Sequence, residues 1–303
     1  MSKVIKIGTR DSKLALWQAN TVKTKLEALG YKTELVPVKS TGDLVLDKPL
    51  YEMGITGIFT KTLDVAMLNE TVDIAVHSMK DVPTALPIGI VQTAVLERAS
   101  SEDILLTKID FDLTKPATIA TGSLRRKAQW LHRYPNHTVV DLRGNVNLRL
   151  QKLQNNEWEG AIFAKAGLER IHLLPDTHET LDWMLPAPAQ GAMVVVALEN
   201  DEFCKEATSK LNHTNSDICT KIERDFLRTL EGGCTAPIGA LAEVVEDSIQ
   251  FKGCLFSLDG KEKLEIAKSV AIANYKDFGS KCGEELLKNG GAQLMRQIKK
   301  EME

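Results

Sequence analysis

Three short stretches of this chain carry residue types that could do chemistry. In "LEGGCTAPIG", Leu230 to Gly239, the thiol of Cys234 follows two glycines and precedes Pro237 by three residues. A cysteine that only fills space usually sits inside a helix or strand. One placed behind Gly232 and Gly233 can instead be exposed on a turn whose backbone approaches a ligand closely. Two readings stay open at this level: a thiol for covalent chemistry, or a small residue packed at a helix-to-strand turn. A phosphatase-type C-x5-R arrangement would need arginine where Ala240 stands, and a cysteine hydrolase would need a partnering histidine that the sequence does not place.

In "TGSLRRKAQ", Thr121 and Ser123 can cap a helix whose first turn carries Arg125 and Arg126. Cations are unfavourable at that end of the helix dipole unless an anion compensates. Backbone N–H groups, hydroxyls and paired guanidinium forks together make a receptor for carboxylate or phosphate. The alternative is a solvated basic face. It weakens because Arg143, Arg149 and Arg170 also stand beside glycine-bearing turns, and because the window from Thr121 to Leu150 is +5 with Asp141 as its single acid. In "AVHSMKDVP", Lys80 and Asp81 follow an apolar strand, and open α/β folds place ligands at the carboxyl ends of strands. A fixed carboxylate there can steady a cation that develops in a transition state. Otherwise Asp81 is a turn residue ahead of Val-Pro. His77 reads as a hydrogen-bonded structural residue.

The elements that would position these groups alternate. "KVIKIG" predicts a strand. A helix follows from about Ser12, with Ala15, Ala19, Val22, Leu26 and Leu29 on one face and Gly30 as its stop. "KTELVPV", "FTKTLDVAMLNE" and "VDIAVHS" continue as strand, helix and strand, a pattern of parallel α/β layers. Residues 41–57, with three glycines and no period, read as a lid or binding loop. A second α/β stretch runs from about Asp103 to Pro186, and "MVVVAL" is one more buried strand. A helix from about Asn215 to Leu230, opened by a capping-box-like "TNSD", has Ile218, Ile222, Phe226 and Leu230 along one face. Strands and a final helix complete the chain.

Composition sets the class. With 303 residues, 43% apolar and 26% charged, the chain can bury two or three cores. No run approaches the roughly 18 apolar residues of a membrane span, and the N-terminus lacks a signal-peptide profile, so a cytoplasmic protein is expected. Five cysteines, odd in number, widely spaced and without a CxxC pair, argue against disulfides and metal. The net charge of -3 gives no general reason to expect nucleic acid or a membrane as partner.

The ordered set "IGTRDSKLALWQA", "AVHSMKDVP", "TGSLRRKAQ", "LRGNVNLRL", "AKAGLERI", "PAPAQGA" and "LEGGCTAPIGA" closely resembles the porphobilinogen deaminase family from near residue 5 to beyond 240. The resemblance implies two α/β domains of the periplasmic-binding-protein type II kind facing a cleft, plus a smaller α+β domain. The expected boundaries are 1–96 with 191–212, then 97–190, then 213–303. It also implies a monomeric transferase of tetrapyrrole and haem synthesis, which joins four porphobilinogen molecules with loss of ammonia. Cys234 matches the cysteine that holds a dipyrromethane cofactor through a thioether, and Asp81 matches the catalytic carboxylate that holds pyrrole N–H groups and stabilises a cationic pyrrole.

By the same resemblance, Arg10, Arg125, Arg126, Arg143, Arg149 and Arg170, with Ser12, Thr121 and Ser123, bind the acetate and propionate groups of substrate and cofactor. Phe59 matches a ring near the cofactor, and Lys80, Gln18 and Gln190 would line the cleft. No metal is implied. The chain departs from the family pattern at Thr56, where relatives often carry lysine, at Gly122 in place of a frequent serine, and at Ala189 in place of a frequent glycine. Two other readings explain less: a solute-binding protein for a small polycarboxylate leaves Cys234 without a task, and a nucleic-acid binder fits neither the acidic balance nor the lack of an aromatic-interleaved basic stripe.

Overall fold

The structure is a computed structural model that describes residues 3–38, 60–108, 111–230 and 236–302. Cys234, Phe59, Thr56 and the 41–57 loop lie outside the described residues.

The alternation at the start of the chain produces a parallel sheet. Strand β1 (Val4–Thr9) pairs in parallel with β2 (Lys32–Pro37) and β3 (Ile74–Ser78), and helix α1 (Lys13–Ala28) makes the first crossover. Ala15, Ala19, Val22 and Leu26 of α1 are buried, as their spacing predicts, and the Ser12 side chain caps the helix by accepting from the Ala15 N–H. Gly30 takes a φ of 87° just beyond the end, while Leu29, counted in the same apolar series, is 49% exposed. Helix α2 (Lys61–Leu68) packs on this sheet, whose order is β2-β1-β3-β10-β4. Within it β10 (Met193–Leu198) runs antiparallel between β3 and β4 (Ile90–Val95).

The second sheet repeats this plan with β5 (Asp103–Thr107), β6 (Thr118–Ala120), β7 (Thr138–Val140), β8 (Gly160–Ala164) and β9 (Glu179–Thr180), in the order β7-β6-β8-β5-β9. Strand β6 is parallel to β7 and β8, and β5 is antiparallel to β8 and β9. Helices α3 (Leu124–Arg133), α4 (Val146–Asn155) and α5 (Lys165–Glu169) follow the parallel strands. In each lobe the strand that the chain enters on leaving a crossing, β10 in the first and β5 in the second, runs antiparallel to its neighbours. These are two α/β lobes, as the sequence leads one to expect.

The crossings, near residues 96–102 and 185–192, run side by side. Arg98 Nε donates to Gln190 O at 2.8 Å, and Ala99 N donates to Gly191 O at 3.2 Å. Gly191 has a φ of 87°, and a Cβ there would fall 2.5 Å from Ser100 O, so both conformation and proximity require glycine.

After α6 (Glu202–Ser209), helix α7 (Thr214–Thr229) leads into an antiparallel sheet of β11 (Ile238–Val245), β12 (Ser248–Phe256) and β13 (Lys263–Ala271), then α8 (Phe278–Leu286) and α9 (Ala292–Met302). Ile222 and Phe226 of α7 pack on Phe251 and Leu255, with the Phe226 and Phe251 ring centroids 5.2 Å apart. Two details differ from expectation. The cap of α7 is His213, whose Nδ1 accepts from Ser216 N at 3.3 Å, so "TNSD" starts one residue inside the helix. The final helix is two helices, because Asn289 and Gly290 leave helical geometry between α8 and α9. Among the described residues no helix is long and apolar enough to cross a membrane.

Candidate active site

The carboxyl ends of the parallel strands deliver polar side chains into one cleft of about 250 Å3 between the lobes. From the first lobe, the end of β1 supplies Arg10, Ser12 and Lys13, and the single 3-10 turn Met79–Asp81 after β3 supplies Lys80 and Asp81. From the second come Arg126 at the start of α3, Arg143 and Arg149 around α4, and Arg170 after α5. Asn145 builds the α4 corner by accepting from Leu148 N at 3.0 Å, and Arg149 Nε donates to Gly144 O at 2.7 Å, which fixes the root of that guanidinium. Arg170 Nη2 donates to Gly191 O at 2.6 Å and its guanidinium lies 5.6 Å from the Trp17 ring centre, while its buried Nε has no hydrogen-bond partner among the described residues. Seven cationic side chains therefore surround Asp81, the one carboxylate among the described residues lining the cleft.

Electrostatics register this crowding. Burial, then the Arg126 charge, lowers the Lys80 ammonium to about 8 against the opposing pull of Asp81 and Asp103. Burial and Arg126 likewise lower Arg149 to about 10, and burial lowers Arg170 to about 10. A polyanion in the cleft would relieve both the lost hydration and the mutual repulsion. His77, buried on β3, is pushed down to about 4 by burial and by the nearby Arg10, so its imidazole is neutral near pH 7.

The paired arginines of α3 have a different arrangement from the one their sequence position implies. The anion that compensates them is internal. Fully buried Asp103, the first residue of β5, accepts from Arg125 Nη1 at 2.7 Å, from Arg126 Nε at 3.0 Å and Nη2 at 2.7 Å, and from Gln190 Nε2 at 2.9 Å. Burial alone would raise its carboxyl, but Arg125 and Arg126 hold it well below the usual carboxylate range. Arg125 also donates to Leu185 O at 2.7 Å and lies behind the cleft wall, whereas Arg126 reaches the cleft. Gln190 is 1% exposed and does not line the cleft: its Nε2 also donates to Ser101 O at 2.8 Å, and its Oε1 accepts from Lys80 Nζ at 3.4 Å. Gln18 is likewise set back, donating from Nε2 to Ser78 Oγ at 2.8 Å.

Ser123 is the cap of α3, and Thr121 accepts from the Ser123 N–H at 3.3 Å, so both hydroxyls shape the turn that starts the helix. At Gly122 a Cβ would meet Leu142 O at 2.6 Å, so the backbone approach leaves no room there for a serine side chain. Ala189 adopts a φ of 62°, the left-handed region that glycine enters without strain.

Sequence reasoning missed Asp103, although an acid opening the apolar run "DILL", directly after Glu102, is a visible signal. It also missed Glu223 on α7. This buried carboxylate accepts from Arg98 Nη1 at 2.6 Å and Nη2 at 3.1 Å, from Ala189 N at 2.6 Å and from Ala242 N at 2.7 Å. It thereby ties both crossings to the third unit.

Two α/β lobes flank an arginine-lined cleft with one central carboxylate, an arrangement of charge suited to a ligand that carries several carboxylates. Residues 5–206 match the family description "porphobilinogen deaminase, dipyromethane cofactor binding domain", and residues 218–288 match "porphobilinogen deaminase, C-terminal domain". The chain is 39% identical to a porphobilinogen deaminase of Campylobacter hominis, over 96% of this chain and 97% of that one. It is 41% identical to one of Chloroherpeton thalassium, over 90% and 89%, and 41% identical to one of Nitratiruptor sp., over 96% and 95%. The chain belongs to the porphobilinogen deaminase family. That membership does not favour a non-catalytic solute-binding protein.

Proposed function

We propose that this protein is a transferase that condenses four porphobilinogen molecules head to tail, releasing ammonia at each addition, to give hydroxymethylbilane for tetrapyrrole synthesis. The observation that carries the reading is the cleft: seven cations around Asp81, in a chain that matches the family along most of its length. Each substrate pyrrole brings an acetate and a propionate. Arg10, Arg143, Arg149 and Arg170 with Ser12 receive these carboxylates as charge-assisted hydrogen bonds. When the aminomethyl C–N bond breaks and ammonia departs with the electron pair, the substrate pyrrole becomes cationic. Asp81 accepts from the pyrrole N–H and faces the developing charge with a fixed negative one.

The donor set also fits a dipyrromethane cofactor, whose side chains are carboxylates. Cys234 would hold it through a thioether, with Lys80, Asp81 and Arg126 toward it. Arg125, Thr121 and Ser123 act from behind the cleft wall, by fixing Arg126 and the start of α3. When bound, the cofactor supplies the pyrrole to which the first substrate unit is joined. Gln190 and Gln18 support this wall, and Phe59 is assigned a place against the cofactor rings.

The same reading divides the chain at 1–96 with 191–212, 97–190 and 213–303, and takes it as a cytoplasmic monomer. The pairing of β10 with β3 and β4 supports the return of the chain to the first lobe. Intact-mass spectrometry of the purified protein is the test. A covalent addition of two pyrrole units is expected, absent after Cys234→Ser; an active protein of unmodified mass would overturn the mechanism.

A further inference from the structure

The backbone on either side of Asp81, whose role is proposed above, is held by a helix of the third unit. Asp81 ends a 3-10 turn of three residues that is closed by one bond, from Val82 N to Met79 O at 3.2 Å. The carbonyl at its start and those just beyond it are also met from α7. Arg224, 9% exposed, donates from Nη1 to Met79 O at 3.2 Å and Val82 O at 2.9 Å, and from Nη2 to Pro83 O at 2.6 Å. One helical turn further on, Arg228 Nη2 donates to Thr84 O. Two guanidiniums at i and i+4 thus grip the backbone on both sides of Asp81, from a helix that is not part of the lobe carrying it.

A planar fork bonded to three carbonyls fixes the orientation of three peptide planes, which a lysine point charge cannot do. The opposite side of the turn is held as well, because Met79 N donates to Ala192 O at 3.0 Å in the second crossing. The turn is therefore set by two outside elements, and the second of them, α7, runs toward Cys234 in sequence.

We propose that Arg224 is a positioning residue for Asp81: by fastening the carbonyls of Met79, Val82 and Pro83 it sets the direction of the carboxylate toward the reacting pyrrole and couples the third unit to the chemistry of the cleft. The inference rests on the function proposed above. The test compares Arg224→Met and Arg224→Lys holoenzymes in steady-state porphobilinogen consumption, each also combined with Asp81→Asn. Cofactor loading is followed by intact mass and folding by thermal unfolding.

A misdirected carboxylate predicts a fall in kcat of about 10- to 100-fold in Arg224→Met, with KM within about threefold, and a smaller fall in Arg224→Lys. In the Asp81→Asn background the same change should cost less than about twofold, since the group being aimed is gone. A loaded, folded Arg224→Met enzyme with normal kcat would overturn the inference. So would a loss that persists undiminished in the Asp81→Asn background, or the failure of both variants to fold, which would make Arg224 purely structural. A wild-type protein that neither carries the adduct nor consumes porphobilinogen would instead overturn the proposed function.

Discussion

Asp103 and Arg126 are joined through one oxygen: both Nε and Nη2 of Arg126 donate to Asp103 Oδ1, at 3.0 and 2.7 Å, with neither side chain more than 6% exposed. The other oxygen serves Arg125 at 2.7 Å. One carboxylate thus supports two guanidiniums, of which only Arg126 reaches the cleft.

Asp103→Ala leaves two buried cations without their counter-charge. Unfolding free energy should fall by about 3–5 kcal/mol in urea titrations, as when one partner of a buried pair is removed. A loss under about 1 kcal/mol would show that water or the carbonyls of Leu185 and Ile162 suffice. Because the folded carboxyl is held below its unfolded value of about 3.9, its contribution is complete above that pH and is lost as pH falls further.

Arg149→Met removes a cleft cation whose root is fixed by Gly144 O. KM for porphobilinogen should rise by about 10- to 100-fold, the worth of one hydrogen bond to a charged group. Raising the salt concentration should weaken the variant less than the wild type. Equal salt dependence would argue that Arg149 does not meet substrate carboxylates.

Asp81→Asn keeps the shape of the side chain but removes its charge. A fall in kcat of about 100- to 1000-fold is expected, with KM changed far less and with the covalent adduct retained or partly extended chains accumulating. Turnover within a few-fold of wild type would remove Asp81 from the mechanism.

His77 predicts an acid-side loss of stability. Its folded value of about 4 lies below the ordinary 6.5, so between those values the unfolded chain binds a proton that the folded chain refuses. The His77 contribution is complete above pH 6.5 and declines as pH falls toward 4, with a slope of up to about 1.4 kcal/mol per pH unit. His77→Gln should flatten the urea-derived stability profile across that window by this amount; an unchanged slope would mean that the ring is already protonated in the fold.

Much of this architecture could be read from local pattern. The period of α1, its start near Ser12, the run of β10 and the clustering of cations at strand ends are all set by neighbours in sequence, and the structure places them where that logic puts them. Other features depend on partners that no window contains. Asp103 meets Arg125, Arg126 and Gln190 across separations of 22, 23 and 87 residues, so the sequence around the two arginines by itself reads as an open anion receptor. Strands β7 and β9, of three and two residues, are too short to show a period. His213 carries no visible cap signal, because a ring nitrogen replaces the hydroxyl or carboxylate usual there.

The four hydrogen bonds accepted by Glu223 have a mechanical corollary for a site that must hold a lengthening guest. Drawing the two lobes straight apart would tear this buried rivet, since it grips both connecting straps and the small sheet at once. What is left is pivoting about the riveted edge, so room for each added ring has to come from swinging the far lip or sliding the guest along the trough.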